Sequence, residues 1–347
     1  MKKRRKPVRT GFLIEKLRGK IISGEWSPGS RLPTRRELIR SHRTSLATVQ
    51  LVLANLEGDG FIESKGRGGT FVSQKPPHLC HYALIFFEDW ENWGQYWRHL
   101  SDAAQSVSDK QGITIDTYTG INLESPGADY QRLLDDIENE CLAGLMFTNL
   151  PHHLKGTTIL DHPGLARVAF SRNPNWNKDL AYVSLDEESF SEKAIKHLKE
   201  TKCSSTAILS HLGNDLTPLL SRLKKAGISC PYHFQQAVSL DQPEWGKNII
   251  RYMFDKNAKH PDALIIYDDN IVDFAMAGIL DAGVDVEIIA HANFPWVDCS
   301  GVPHTRLGYD MHELLRIFLS QLKSLNQNKK PRAKLLKACF ESELTDK

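Results

Sequence analysis

The chain has 347 residues, 41% of them hydrophobic and 25% charged, which is enough for two or three domains. It has no run of ~18 apolar residues, and no apolar segment follows its basic start, so the sequence predicts a cytoplasmic protein without a membrane span. Residues 1–75 hold 17 Lys and Arg against 6 Asp and Glu, whereas residues 76–347 hold 27 against 36. The head, residues 1–75, therefore has a net charge of +11, and the body, residues 76–347, has a net charge of −9. This division indicates that the head binds nucleic-acid phosphates.

Three helices are predicted in the basic head. The first spans about Thr10 to Ser23, and the second opens at Thr34, a suitable N-cap. The third covers about Ser45 to Glu57, where apolar residues recur at three- and four-residue intervals and so share one face. Small or amide-bearing side chains of the kind that meet base edges occupy its other face, namely Ser45, Ala47, Thr48 and Gln50.

A basic hairpin and a proline-rich segment follow the helices. Strands are predicted at Phe61–Ser64 and Thr70–Ser73, joined by the glycine-rich turn Lys65–Gly69. The segment Gln74–His78 contains two adjacent prolines, which stiffen a joint. We therefore expect a winged helix-turn-helix in residues 1–75, a linker in 76–80 and an effector-binding and dimerisation domain in 81–347.

Residues 13–72 resemble the GntR family of bacterial transcription regulators. The resemblance is carried by an ordered series of apolar and glycine positions, including Pro28-Gly29, Gly60-Phe61-Ile62 and Gly68–Val72. It implies a winged helix-turn-helix that binds double-stranded operator DNA. The family usually has Arg where Leu46 stands, and often Gly-Val in place of Arg43-Thr44, so the operator sequence does not carry over. The residues expected on DNA are Arg35, Arg36, Ser45, Ala47, Thr48, Gln50, Arg67 and Gly68.

Short apolar strands alternate with helices of ~10–18 residues beyond the linker, a pattern typical of βαβ units and parallel sheets. The first strand is predicted at Tyr82–Phe87 and the last near Ala333–Phe340. Those between them are predicted at Ile113–Tyr118, Gly144–Thr148, Ala166–Phe170, Thr206–Leu209, Phe234–Val238, Ala263–Tyr267 and Val286–Ala290.

This body resembles the effector domains of LacI-type repressors and sugar-binding proteins of the periplasmic-binding-protein class. Besides the order of elements, four short strings carry the resemblance: Val168–Arg172, Val183–Asp186, Pro261–Asp269 and Thr305–Asp310. The resemblance implies an α/β fold class with two subdomains that close on a ligand at the carboxyl ends of the strands. It also implies a homodimeric repressor with a sugar as effector.

A sugar site combines aromatic faces with groups that make paired hydrogen bonds. Asp89, Trp90 and Trp93 follow the first strand of the body and are candidates, with subunit packing as the alternative for the tryptophans. By the resemblance, Arg172 lies where LacI-like proteins place a sugar-contacting Arg; a surface salt bridge is the alternative.

Three further candidates lie at later strand ends. Asp268 and Asp269 end the strand at Ala263–Tyr267, where either can accept ligand hydrogen bonds or one can only cap the following helix. Asn293 stands where the LacI-like family often has Asp, which suggests a ligand unlike those of well-matched relatives.

The sequence predicts no cofactor, metal or enzymatic activity. Its histidines lack metal-ligand spacing, and the chain has no nucleophile elbow, phosphate-binding loop or dinucleotide fingerprint. A regulator of a non-sugar metabolite such as a nucleoside, or a catalytic body, is the alternative to a sugar-responsive repressor. Six cysteines are interpreted as buried or idle thiols, with redox sensing as the alternative, because no C-x-x-C pair occurs: Cys80, Cys141, Cys203, Cys230, Cys299 and Cys339.

Overall fold

The computed structural model describes residues 10–171, 180–296 and 301–344. The chain divides into two compact units. Unit 1 comprises residues 1–89, 108–167 and 324–329, and unit 2 comprises residues 90–107, 168–323 and 330–347. Within the described ranges, no helix is both long and apolar enough to cross a membrane.

The head begins with the helices α1 (Thr10–Ile22), α2 (Arg35–His42) and α3 (Leu46–Gly58). Thr34 caps α2 as predicted, and a reciprocal bond from its backbone to Glu37 completes a capping box. Ser45, which was predicted to start the third helix, is its N-cap and accepts a hydrogen bond from the backbone N–H of Thr48 at 3.1 Å.

The core of the head lies between α1, α3 and the wing. Leu17, Leu53 and Leu56 are at most 5% exposed and come from the apolar stripes of α1 and α3. Burying each such side chain contributes ~1.5–3 kcal/mol before entropy is counted. Cys141, from outside the head, joins the same apolar cluster.

Two short antiparallel strands, β1 (Ile62–Ser64) and β2 (Thr70–Val72), form the wing where a hairpin was predicted. The turn between them depends on Gly69, whose φ of 105° strains any residue with a Cβ. The predicted linker contains a helical turn, α4 (Pro77–Cys80), because Pro77 stands at a helix N-terminus, where its missing N–H costs nothing.

The body alternates helices and strands, as predicted. Its further helices are α5 (Gln95–Gln111), α6 (Asp129–Glu138), α7 (Thr158–Asp161), α8 (Glu187–Glu200), α9 (Thr217–Lys225), α10 (Trp245–Met253), α11 (Val272–Ala282) and α12 (Met311–Asn326). Its strands are β3 (His81–Ile85), β4 (Thr114–Tyr118), β5 (Gly144–Phe147), β6 (Arg167–Phe170), β7 (Ala181–Asp186), β8 (Thr206–His211), β9 (Gln235–Val238), β10 (Ala263–Ile266), β11 (Glu287–Phe294), β12 (Thr305–Asp310), β13 (Ala333–Lys337) and β14 (Cys339–Phe340).

The described strands beyond the wing belong to two sheets. In unit 1, β3 pairs in parallel with both β4 and β5. In unit 2, β7 pairs in parallel with β6 and β13. The second sheet lies wholly in unit 2 in the order β14-β12-β11-β10-β8-β9, and only β14 is antiparallel to its neighbour. The carboxyl ends of its five parallel strands therefore share one edge.

The structure corrects four strand predictions. β7 and β12 were not predicted as strands, and β11 extends to Phe294 and so includes Asn293. The predicted final strand is two strands, β13 and β14, which pair in different sheets and are separated by Ala338 alone.

Candidate DNA interface and effector site

The outward face of α3 carries the predicted base-contacting residues. Ala47 and Gln50 are exposed on α3, Thr48 is half-buried, and Ser45 is exposed just before the helix. The Ser45 and Thr48 hydroxyls lie 2.9 Å apart and are hydrogen-bonded to each other. All four residues therefore cluster at the N-terminal end of α3, the end of a recognition helix that meets base edges.

Exposed arginines flank α3. Arg35 and Arg36 lie in the first turn of α2, Arg40 lies one turn on, and Arg43 caps the helix. Arg67 and Gly68 are exposed in the turn of the wing. The predicted DNA residues thus fall into a weakly polar recognition helix and two basic flanks, which suits phosphate contacts on either side of a groove.

A second cluster of polar side chains lies in unit 2, at the carboxyl edge of the second sheet. Asp268 and Asp269 follow β10, His211 ends β8, and Asn293 lies near the end of β11. The Nδ1 atom of His211 lies 2.7 Å from Asp268 Oδ2, and Asn293 Nδ2 donates to Asp269 Oδ2 at 2.6 Å. Adjacent parallel strands thus bring residues far apart in sequence together.

Asn270 links the two acids. Its backbone N–H and its Nδ2 each donate to Asp268 Oδ1 at 2.9 Å, while its Oδ1 accepts from the backbone N–H of Gln95 at 2.8 Å. Asp268 also caps the short helical turn that follows β10. It is therefore both a cap and a member of the cluster, and the role of the acidic pair in ligand binding stays a prediction.

The two acids have opposite pKa shifts although they are neighbours. Burial opposes ionisation of Asp268, but hydrogen bonds from His211 and Asn270 outweigh burial and lower its pKa. Burial, together with the charge of Asp268, raises the pKa of Asp269 to about 7. At neutral pH the pair therefore combines a stable carboxylate with a carboxyl group that both donates and accepts hydrogen bonds.

His99 brings an aromatic surface to the same cluster. Its Nδ1 lies 4.0 Å from Asp269 Oδ2, and its ring stacks on Trp296 with centroids 4.6 Å apart. Burial and the positive charge of Arg306 lower the pKa of His99 to about 4, so the imidazole is neutral at physiological pH. A neutral ring stacked on an indole offers a flat face beside hydrogen-bonding groups.

Two polar atoms of this cluster are buried and make no hydrogen bond within the part of the chain that the structure describes. They are the Oδ1 of Asn293, a residue only 3% exposed, and the Nδ1 of His99. A buried polar atom without a partner costs ~1–3 kcal/mol. The Asn293 oxygen can accept a hydrogen bond from a ligand that enters the cluster, and the His99 nitrogen can donate or accept one according to its tautomer.

Three of the other four predicted ligand residues are described by the structure. Asp89 belongs to unit 1, where its carboxylate covers the backbone of Gly120. Trp90 is 63% exposed, and Trp93 is half-buried. Arg172 lies outside the described residues. The structure thus brings Asp268, Asp269 and Asn293 together.

Sequence reasoning missed His211, His99 and Asn270. His211 was missed because β8 was predicted to end at Leu209, which left the histidine outside the strand. His99 lies on α5 three residues after Tyr96, and nothing in the helical pattern distinguishes it from a packing residue of that helix. Histidines were weighed only as metal ligands; among the described residues no three His, Cys, Asp or Glu side chains are grouped for a metal.

Comparisons with known proteins identify the head. Residues 10–72 match the family "Bacterial regulatory proteins, gntR family". The HTH-type transcriptional regulator TauR of Rhodobacter capsulatus is 39% identical over 57 residues, 16% of this chain and 12% of that protein. The HTH-type transcriptional regulator Rv1152 of Mycobacterium tuberculosis is 36% identical over 69 residues, 19% of this chain and 57% of that protein. The head is a GntR-family helix-turn-helix domain.

The chain spans 12% and 57% of the lengths of these two regulators. The body behind the GntR head shares its fold with crystallised LacI-family regulators. One from Chloroflexus aggregans aligns with a TM-score of 0.58 at 17% identity, over 75% of this chain and 96% of its own. Another, from Arthrobacter sp. FB24 in complex with lactose, aligns with a TM-score of 0.58 at 12% identity, over 75% of this chain and 97% of its own. The predicted fold class is therefore confirmed.

Proposed function

We propose that this protein is a sequence-specific DNA-binding transcription repressor whose body binds a small polyhydroxylated effector of the sugar class. The observation that carries the proposal is the presence, in one chain, of a GntR-type head and of a buried acid, amide and imidazole cluster in a LacI-fold body. The head supplies DNA binding, and the cluster supplies a ligand-dependent signal.

The charge of the head supports binding to a duplex. Arg35, Arg36, Arg40 and Arg67 are exposed, and among the described residues none of the four has a carboxylate within ion-pair distance. Exposed cations that are not held in an ion pair are available for phosphates, whose contacts dominate affinity and make it depend on salt. A homodimer would present two such heads to a pseudo-palindromic operator.

The chemistry of the unit 2 cluster supports a neutral polyol. A sugar hydroxyl both donates and accepts hydrogen bonds, and so do the partly protonated Asp269 and the neutral His99. The carboxylate of Asp268 and the Oδ1 of Asn293 add acceptors, and Trp296 offers an aromatic face. Crystallised neighbours of the same fold include a complex with lactose and one with cellobiose.

Effector binding would change DNA affinity through its preference for one arrangement of the dimer. A ligand shifts such an equilibrium only as far as its affinities for the two arrangements differ. The effector therefore need not touch the head, and a residue of the cluster can abolish the response while basal DNA binding remains.

The test has two parts. First, the full chain is incubated with fragments of bacterial genomic DNA, and bound fragments are compared with random duplex by fluorescence anisotropy. Second, thermal unfolding is followed with a panel of mono- and disaccharides and nucleosides, because a ligand of the folded state raises the apparent stability. We expect a preferred fragment, a sugar that raises the unfolding temperature, and release of that fragment by the same sugar.

Variants of the cluster sharpen the second part. Asn293→Ala should remove most of the sugar-induced shift, whereas Asp285→Asn, at an exposed acid outside the cluster, should keep it. No preference for any fragment would refute the DNA-binding role. A shift with nucleosides alone would refute the sugar class, and consumption of a ligand would make the body catalytic.

A further inference from the structure

The recognition helix of the head has an unusual surface for a DNA reader. α3 contains no Lys or Arg, and its single carboxylate, Glu57, binds the backbone N–H and the hydroxyl of Ser64 at 2.8 and 3.0 Å. Arginine and lysine are the side chains that read guanine through its O6 and N7 atoms. α3 therefore offers no side chain of the kind that reads guanine.

Four of the exposed residues of α3 have apolar side chains, and the exposed polar ones are Gln50, Asn55 and Glu57. Leu46 is 51% exposed and Leu51 is 60% exposed, and Ala47 and Ala54 are exposed with them. At about 100° per residue, Ala47, Leu51 and Ala54 lie within about 60° of one another, opposite the buried Val52 and Leu56 stripe. These three side chains form one outward surface, and Leu46 lies at the N-terminal end of α3, about 80° around the helix from Ala54.

Gln50 is the amide on this surface near the N-terminal end of α3. It lies about 40° around the helix from Leu46, one turn further on, and it is exposed. Glutamine reads adenine by donating to N7 and accepting from N6, whereas apolar side chains contact the methyl group of thymine. The Ser45 and Thr48 hydroxyls already bond to each other at the cap.

We infer that α3 reads A·T base pairs, with Leu46, Ala47 and Leu51 against thymine methyl groups and Gln50 against adenine. The inference rests on the proposed DNA-binding function and specifies the chemistry of the partner. The arginines of α2 and the wing then hold the phosphates on either side, so affinity comes from the flanks and sequence preference from the apolar face. The core of each half-site is rich in A·T pairs.

The test starts with selection of duplexes from a randomised pool by the full chain at fixed salt. Each thymine of the selected core is then replaced by uracil, which removes only the 5-methyl group and keeps base pairing. Loss of one buried methyl contact should weaken binding about fourfold. In the Leu46→Ala or Leu51→Ala variant, uracil at the contacted position should cause no further loss.

Two further variants complete the test. Gln50→Ala should weaken binding by roughly 5- to 150-fold and relax the preference for adenine at one position. Leu123→Ala, at an exposed leucine outside the head, should keep the full uracil effect.

The outcomes separate this inference from the proposed function. Failure to select any sequence refutes DNA reading altogether. Specific binding with a G·C core, or uracil effects that persist unchanged in both leucine variants, refutes the assignment to α3 while leaving a DNA-binding protein. In that case Leu46 and Leu51 would pack against a protein surface and not against DNA.

Discussion

Arg18 and Asn139 are 121 residues apart in sequence, yet Arg18 Nη1 donates a hydrogen bond to Asn139 Oδ1 at 2.9 Å. Arg18 is 3% exposed, and its other terminal nitrogen pairs with Asp59 at 2.5 Å. Its guanidinium also lies over the ring of Phe61. One buried cation of α1 therefore ties the segment that follows the recognition helix to Asn139 in the part of unit 1 outside the head.

We expect Asn139→Ala to reduce the free energy of unfolding of unit 1 by about 1.5–3 kcal/mol, the contribution of a hydrogen bond to a charged group. Arg18→Lys should cost a similar amount, because lysine cannot hold both partners. Chemical denaturation of the two single variants and the double variant measures their coupling. Additive effects would show that the contact contributes no pairwise energy.

The pH dependence of stability should separate Asp269 from His99. The pKa of Asp269 is about 7 in the folded state against ~3.9 in the unfolded state, so between these values the folded state binds more protons. The contribution of Asp269 to stability is therefore full below pH ~4 and is lost as pH rises towards 7. The lowered pKa of His99, about 4 against ~6.5 unfolded, means that the unfolded state holds the extra proton, so stability rises with pH between ~4 and ~6.5.

The contributions of Asp269 and His99 to the pH dependence of stability oppose each other between pH ~4 and ~6.5. A variant of each residue separates them. Relative to the natural chain, Asp269→Asn should make the unfolding temperature climb more steeply between pH 4 and 6.5, and it should stabilise the protein at pH 8. His99→Gln should make the unfolding temperature decline between the same limits. Parallel curves for all three proteins would contradict both shifts.

Arg36→Ala should weaken binding to every duplex by a similar factor and reduce the slope of log affinity against log salt by about 1, as expected for one lost phosphate contact. Arg67→Ala should have the same effects on affinity and on the salt slope. Arg251→Ala, at an exposed arginine of unit 2, is the matched control and should leave the slope unchanged. An effect restricted to one base pair would instead place Arg36 on a base edge.

Asn293→Asp would introduce a third carboxyl group beside Asp269, whose Oδ2 now accepts from Asn293 at 2.6 Å. Like charges at this distance in a buried site repel strongly, so we expect lower stability at pH 8 and partial recovery at pH 5, where a carboxyl group is protonated. Thermal unfolding at the two pH values measures this. An equal loss of stability at pH 8 and pH 5 would show that altered packing, and not charge repulsion, is the cause.

The sequence allowed prediction of features fixed by local chemistry. Thr34 and the start of α3 were predictable because capping depends on residues within one turn. His211 and Asn270 were not, because their roles arise from the pairing of β8, β10 and β11 across a sheet. β12 was missed because its central Gly308 is a poor strand former. The fold requires glycine at this position, since a Cβ on Gly308 would lie 1.7 Å from the backbone oxygen of Ala292.

Ala338 is the only residue between β13 and β14, which belong to different sheets. Its backbone N–H donates to Ser189 Oγ at 2.8 Å, and its side chain is 3% exposed. Consecutive Cα atoms are ~3.8 Å apart, so the ends of these two ladders cannot slide past each other by more than a few ångströms. Any change in the angle between β13 and β14 must therefore be taken up by the backbone dihedral angles at Ala338.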